Sequence, residues 1–205
     1  MLKLLYWPNL PGRGEFVRLI LEDAGVEYDD VARGPESEGG GIQAIRDRLY
    51  GGGDKMPGFA PPFLIDGELV LAQMPVVCAH VAARHGLVAS SPDVQMRALQ
   101  LQMTIGDVVT EAHDTHHPLS SSLYFEDQED AAIRASKVFR EERISRWLGF
   151  FEKALAASGG TYALGDEVSY VDLGLFQMVS GLQHAFPNAM THAMRGFERL
   201  SAVCE

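Results

Sequence analysis

Cysteine is scarce in this chain of 205 residues: there are two, Cys78 and Cys204. They are far apart and belong to no paired motif, so a disulfide framework is excluded and free thiols in a reducing compartment are expected. Basic residues are also outnumbered, with Lys+Arg at 17 against Asp+Glu at 28 and a formal net charge of -11. A general nucleic-acid binder needs a basic face, and a polybasic membrane anchor needs the same, so neither partner is expected. No apolar run approaches the roughly 18 residues of a membrane span. The N-terminus lacks a basic segment followed by an apolar core and a small-residue cleavage site, so no secretory signal is visible and a cytoplasmic location is expected. No internal repeat or low-complexity tract occurs. What remains is a chain with 46% apolar and 22% charged residues, ordinary for a globular protein with a sizeable core.

The pattern of elements changes near residues 85–93. Before it, short strand-like runs alternate with helices. Lys3–Tyr6 reads as a buried strand, Gly14–Ala24 as a helix with Phe16, Val17, Ile20, Leu21 and Ala24 on one face, and Val26–Val31 as a second strand. A Gly-rich loop, 34–41, leads to a short helix, Ile42–Leu49, and a further loop, 50–60. Pro62-Phe63-Leu64-Ile65, the turn pair Asp66-Gly67, and Leu69-Val70-Leu71 form a hairpin signal. A helix follows over Met74–His85, with Pro75 in its first turn, where proline is tolerated. The order β-α-β-α-β-β-α predicts a parallel pair from the βαβ unit and an antiparallel pair from the hairpin.

After residue 93 nearly everything reads as helical. One helix is expected over 93–114, with Met96, Leu99, Met103, Ile105, Val108, Val109 and Ala112 as its apolar stripe. A second, unbroken over 129–157, would bury Ile133, Val138, Ile144, Trp147, Leu148 and Phe151. Ser169 with Asp172 three positions on is a capping-box arrangement opening a helix over 173–182, and 189–203 closes the chain as a further helical segment. The expected fold class is therefore an α/β N-terminal domain, residues 1–83, a linker, 84–92, and an all-α domain, 93–205.

The turn after the first strand is the most informative place. Tyr6 ends the strand, Trp7-Pro8-Asn9-Leu10-Pro11-Gly12 cannot continue it, and a helix then begins. A phenol there sits beside a helix N-terminus, which favours nearby negative charge, and its O–H can donate to a thiolate. A core tyrosine with a satisfied hydroxyl is the alternative reading of this turn alone.

Three segments together resemble the cytosolic glutathione transferases. Tyr6-Trp7 with Gly12-Arg13 and Arg18 is similar to the first strand and helix of the tyrosine classes (sigma, mu, pi, alpha). Pro62 to Gln73, read as Pro-Phe-Leu-Ile-Asp-Gly-Glu-Leu-Val-Leu-Ala-Gln, is similar to the family's glutathione-site segment. Leu164-Gly165-Asp166 with Ser169-Tyr170-Val171-Asp172 is similar to a folding motif of its helical domain. The segments recur in the family's order across nearly the whole chain.

The resemblance implies a thioredoxin-like domain joined to a helical bundle, a homodimer, a cis peptide at Pro62, glutathione as co-substrate, no metal, and a role in detoxification. It implies that Tyr6 is the catalytic thiolate stabiliser. Arg13, Lys55, Pro61, Pro62, Gln73 and Met74 would contact glutathione, and Asp107 would reach the partner subunit's glutathione amine. Asn9, Leu10, His113, His116 and Tyr124 would shape the pocket for a hydrophobic electrophile. No Ser or Cys occurs before Ser37, which disfavours the serine classes and the cysteine-type thiol reductases.

The chemistry is set by the thiol. A free cysteine thiol has a pKa near 8.5, so about 3% is thiolate at pH 7, and the thiolate is the nucleophile. Lowering that pKa by about two units needs roughly 2.7 kcal/mol of differential stabilisation. One hydroxyl donor plus a helix N-terminus is of the right size to supply it.

The chain also departs from the family. Met74 stands where Ser or Thr is usual, and a lost hydrogen bond to a charged group costs about 1.5–3 kcal/mol, roughly tenfold to a hundredfold in affinity. Pro61 removes a backbone N–H, and Pro11 replaces a customary Arg. These departures support two alternatives to conjugation: a ligand-binding protein of this fold with a weakened glutathione site, and a glutathione-dependent isomerase or peroxidase. His113, His116 and His117, with Glu111 and Asp114 close by, fall at spacings that share a helix face; they read either as polar lining and a helix C-terminal cap or as metal ligands.

Overall fold

The computed structural model describes residues 1–51 and 56–204, which fall into two compact units, 1–99 and 100–205. Lys55 lies outside the described residues.

In the first unit, β1 (Leu2–Leu5), α1 (Gly12–Asp23), β2 (Tyr28–Asp30), α2 (Gly41–Tyr50), β3 (Phe63–Asp66), β4 (Leu69–Ala72) and α3 (Met74–His85) follow in that order. The strands form one sheet in the order β2-β1-β3-β4. β1 and β2 are parallel, and β1–β3 and β3–β4 are antiparallel, as the βαβ unit and the hairpin require. Asp66 pairs with Leu69, so Gly67 and Glu68 alone make the turn, and Gly67 takes φ +62°, where a side chain is disfavoured. The second strand is shorter than the 26–31 run, because Val31–Arg33 turns into a 3₁₀ helix.

Alternation along the strands divides the core. Leu5 and Phe63 cluster with Ala32 and Ile45 of α2. Leu4 and Leu64 therefore face the other way, the side of α1 and α3, which pack on one another. Phe16, Val17, Ile20 and Leu21 of α1 are all buried, as are Val77, Cys78 and Val81 of α3. Each such side chain contributes about 1.5–3 kcal/mol.

α4 (Pro92–Asp114) contains the boundary between the units. Its buried positions are Ala98, Gln102, Ile105 and Val108, whereas Met96 and Met103 are exposed. The expected stripe was thus out of phase at those two methionines. The cause is local: Gly174 lacks a Cβ that would run into Gln102 and Ile105, so a polar Gln rather than a Met occupies the close crossing.

The second expected helix is not continuous. It is α5 (Glu129–Val138), a π-helical turn (Phe139–Arg143) and α6 (Ile144–Ala157). The buried positions are Ala132, Phe139, Ile144, Leu148, Phe151 and Leu155, and Ile133 and Val138 are exposed. Phe139 and Ile144 are five apart, a spacing that an α-helix sends to different faces. The turn in which Ile144 N–H donates to Phe139 O brings both inward. α7 (Tyr170–Ala185), α8 (Pro187–Ala193) and α9 (Glu198–Val203) complete the unit, a 3₁₀ turn at 194–196 breaking the expected last helix.

The capping box at Ser169 forms. Its Oγ accepts from Val171 N–H, and Asp172 accepts from Ser169 N–H at 2.9 Å, from Ser169 Oγ at 2.7 Å and from Ala163 N–H at 2.8 Å. The buried carboxylate is thereby fully engaged with donors, as burial demands.

Candidate functional site

Tyr6 follows β1 directly and is 6% exposed. Its hydroxyl oxygen accepts a hydrogen bond from Arg13 N–H, in the first turn of α1, at 2.9 Å. The oxygen is satisfied by a helix N-terminal donor, and the hydroxyl hydrogen is left to donate elsewhere. Accepting a bond from a helix start polarises the O–H and makes it a stronger donor.

Two glycines make room for the ring. A Cβ on Gly12 would meet the Tyr6 hydroxyl, and one on Gly14 would meet the ring carbons. Gly12 also takes φ +40°, which follows from the tight entry into α1 after Pro11. Across the ring, the Arg18 guanidinium carbon lies 5.9 Å from the centroid, within cation–π range.

Arg18 anchors a charge network. Nε donates to Asp30 Oδ2 at 2.7 Å, Nη1 to Glu15 Oε2 at 3.1 Å, and Arg33 approaches both acids at 3.4 and 3.9 Å. Burial works against the Arg18 charge, but Asp30 and then Glu15 outweigh it and hold its pKa above the ordinary value. The network joins α1 to the end of β2 and fixes the guanidinium beside the tyrosine.

The Pro62–Gln73 segment forms the other side of this sheet end. The Pro61–Pro62 peptide is cis. Leu5 pairs with Phe63, and Phe63 with Ala72. Leu5, Phe63 and Ala72 thus stand in a row across the sheet end, and Tyr6, Pro62 and Gln73 are their chain neighbours on that side.

Gln73 has φ +71° and ψ 112° and is exposed. It has the only positive φ of a non-glycine among the described residues. Such backbone costs about 1–3 kcal/mol and clusters at ligand sites. Nothing in the sequence signals it, since Gln has no special tolerance for that region. Its carbonyl accepts from Val76 and Val77, so the strained residue starts α3. Met74 opens that helix with its side chain buried, 1% exposed. The first N–H groups of α3 therefore lie at the same sheet end as Tyr6, Pro62 and Gln73, a setting suited to a carboxylate.

The remaining expected residues are placed separately. Asn9 and Leu10 are exposed in the β1–α1 turn. Asp107, His113, His116 and Tyr124 belong to the second unit and are exposed. The histidines do not share one environment. His113 and His117 rings lie 5.2 Å apart, His113 Nδ1 is 3.1 Å from Asp114, and His117 Nδ1 is 3.3 Å from Gln128 Nε2. His116 instead lies against Phe125, at 5.7 Å. α4 ends at Asp114, so the helical spacing that would align all three does not extend to them. Among the described residues no group of three His, Cys, Asp or Glu side chains is arranged to hold a metal. Cys78 is buried, and burial, then Asp172, pushes the Cys204 thiol up to about 11.

A cis-proline hairpin beside a parallel βαβ unit, with a tyrosine at the end of the first strand, defines a thioredoxin-like unit followed by a helical one. The comparisons agree. The family profile described as glutathione S-transferase, C-terminal domain, matches residues 113–205. Glutathione S-transferase of Plasmodium yoelii yoelii is 24% identical over 179 residues, 87% of this chain and 77% of that protein. Glutathione S-transferase A4 of Bos taurus is 27% identical over 187 residues, 91% and 77% of the two chains. A solved Pi-class glutathione S-transferase of Onchocerca volvulus superposes with a TM-score of 0.73 at 20% identity, covering 99% of this chain and 85% of that one. Residues 113–205 thus match the glutathione S-transferase C-terminal domain family, and over most of its length the chain is similar to glutathione S-transferases. Among the described residues no helix is long and apolar enough to cross a membrane.

Proposed function

We propose that the protein conjugates the glutathione thiolate to hydrophobic electrophiles, with the Tyr6 O–H donating to the sulfur. The gathering of Tyr6, Pro62 and Gln73 at one sheet end, with the Tyr6 oxygen on the Arg13 N–H, is the observation that carries this reading. Glutathione lies along Pro61–Met74. The Pro61 carbonyl accepts from its cysteine, and Gln73 and the N–H groups of α3 hold the γ-glutamyl end. Arg13 and Lys55 serve its other carboxylate. Tyr6 lowers the thiol pKa by stabilising S⁻, the proton leaves to solvent, and sulfur attacks the electrophilic carbon, whose bond to the leaving group breaks so that it departs as an anion (chloride from 1-chloro-2,4-dinitrobenzene).

In the same reading the thioredoxin-like domain is residues 1–83, the linker 84–92 and the helical domain 93–205. Asn9, Leu10, His113, His116 and Tyr124 contact the electrophile, and the protein works as a cytoplasmic homodimer in detoxification, Asp107 reaching the partner's glutathione.

One observation favours a second reading. Met74 is buried and offers no hydroxyl where the family uses one, so a ligand-binding protein with weak glutathione affinity is the competing account; a glutathione-dependent isomerase or peroxidase is the other. Retention on immobilised glutathione separates binding from its loss. Turnover of 1-chloro-2,4-dinitrobenzene then reads conjugation: retention with turnover supports the proposal, and flow-through supports the ligand-binding account.

A further inference from the structure

The second unit contains a pocket of about 410 Å³ whose lining, His116 apart, the chemistry above does not use. Its size lies in the range of small-molecule sites, roughly 300–1,000 Å³. One wall is apolar, formed by Phe125, Ala132, Ile133 and Phe186, and the α7–α8 junction, 185–189, closes it. Phe186 stacks on Phe139, with centroids 5.2 Å apart, so the floor is tied to the π-helical turn.

The polar lining is His116, Thr115, Ser136, Arg140 and Asn188. Two of these are already committed as donors: Thr115 Oγ1 to Ala112 O at 2.7 Å and Ser136 Oγ to Ile133 O at 3.1 Å. Arg140 spends one N–H on Ser136 Oγ, at 3.0 Å, and pairs with no carboxylate among the described residues. The donors available to a ligand are thus the rest of the guanidinium, the His116 ring and the Asn188 amide, of which the guanidinium alone carries a fixed charge. No acid lines the pocket, in a chain with 28 acidic residues and a net charge of -11. A single unpaired cation beside an apolar wall suits one negative charge on an apolar body. A dianion would leave charge unmatched, and a neutral ligand would leave the guanidinium without its strongest partner.

We infer that this pocket binds a small aromatic monocarboxylate, its carboxylate on Arg140 and its ring against Phe125, Ile133 and Phe186. The lining residues all belong to the second unit, so the site stands independently of the glutathione reading.

The test uses the full chain and two probes, 2-naphthoate and the uncharged 2-naphthalenemethanol, titrated by calorimetry. Two variants are compared with wild type. Arg140→Gln removes the charge at an exposed position, and Ala185→Trp fills the pocket from an exposed position. Melting curves establish that both are folded. The expected result is that Arg140→Gln weakens naphthoate about tenfold and leaves the alcohol unchanged, while Ala185→Trp abolishes both. Failure of wild type to bind naphthoate overturns the inference. Naphthoate affinity that is unchanged in both variants overturns it equally, because the probe then sits elsewhere.

Discussion

At the scale of the residue, the site is a tyrosine held on several sides. Arg13 N–H meets its oxygen, Gly12 and Gly14 leave space for its ring, and Arg18 lies across its face. The space is as consequential as the bonds. Gly14→Ala places a methyl where the ring carbons are, so either the ring or α1 must shift; a stability loss of about 1–3 kcal/mol and a drop in kcat/KM of at least about tenfold are expected, read by denaturant unfolding and conjugation kinetics. A variant with wild-type kinetics would mean that the ring position is not critical. Met74 offers the converse experiment. Met74→Thr restores a hydroxyl at the start of α3, and calorimetry is expected to record glutathione binding about tenfold tighter. The same change removes a buried side chain, so stability falls by about 2–3 kcal/mol. Tyr6, Pro62 and Gln73 stand out in the sequence because each falls at a punctuated place: a strand end before a Pro-rich turn, a proline before a hairpin, a polar residue before a helix. The strained backbone of Gln73 was not legible, since it is imposed by the joining of β4 to α3 rather than by the preference of Gln.

At the scale of the element, hairpin and helix boundaries that rest on turn chemistry were readable, and helix phases that rest on packing were not. The β3–β4 hairpin was readable, but its turn pair is Gly67-Glu68 rather than Asp66-Gly67, because Asp66 still pairs with Leu69 and the positive φ falls on Gly67 as the first turn residue. The π-helical turn at Phe139–Arg143 depends on which apolar residues the rest of the bundle accepts, and both Val138 and Phe139 look suitable until Ile144 is placed. The methionines of α4 failed for the same reason. This turn is also clamped: Arg143 donates to both Glu111 oxygens at 2.6 and 3.0 Å, and Trp147 Nε1 donates to Glu111 at 2.7 Å. The hydrogen bond from Arg143 is the largest cause, outweighing burial with help from Trp147, that holds the Glu111 pKa below the ordinary carboxylate value. A carboxylate with a depressed folded pKa contributes stability above its unfolded pKa, about 4.3, and loses it as pH falls through the folded value. Wild type is therefore expected to melt above Glu111→Gln near neutral pH, with the gap closing as pH drops below ~4. A gap independent of pH would show that the clamp acts through packing alone.

At the scale of the whole molecule, the division into α/β and helical units was legible from the change in periodicity near residue 90, and the family resemblance rested on segments spread through both. Function at this scale depends on glutathione binding a chain of net charge -11. In the proposed reading an anionic tripeptide is held by local N–H groups and Arg13 rather than by the overall field, so the departures at Pro61 and Met74 would act directly on affinity. The most direct test of the central claim is a glutathione titration of the full chain and of Tyr6→Phe by calorimetry, with the ultraviolet absorbance of the bound thiolate recorded in the same samples at neutral pH. The account predicts that both proteins bind glutathione within about threefold of each other, that wild type shows thiolate, and that Tyr6→Phe does not. Equal thiolate signals in the two proteins would contradict it, because some other group would then be stabilising the sulfur.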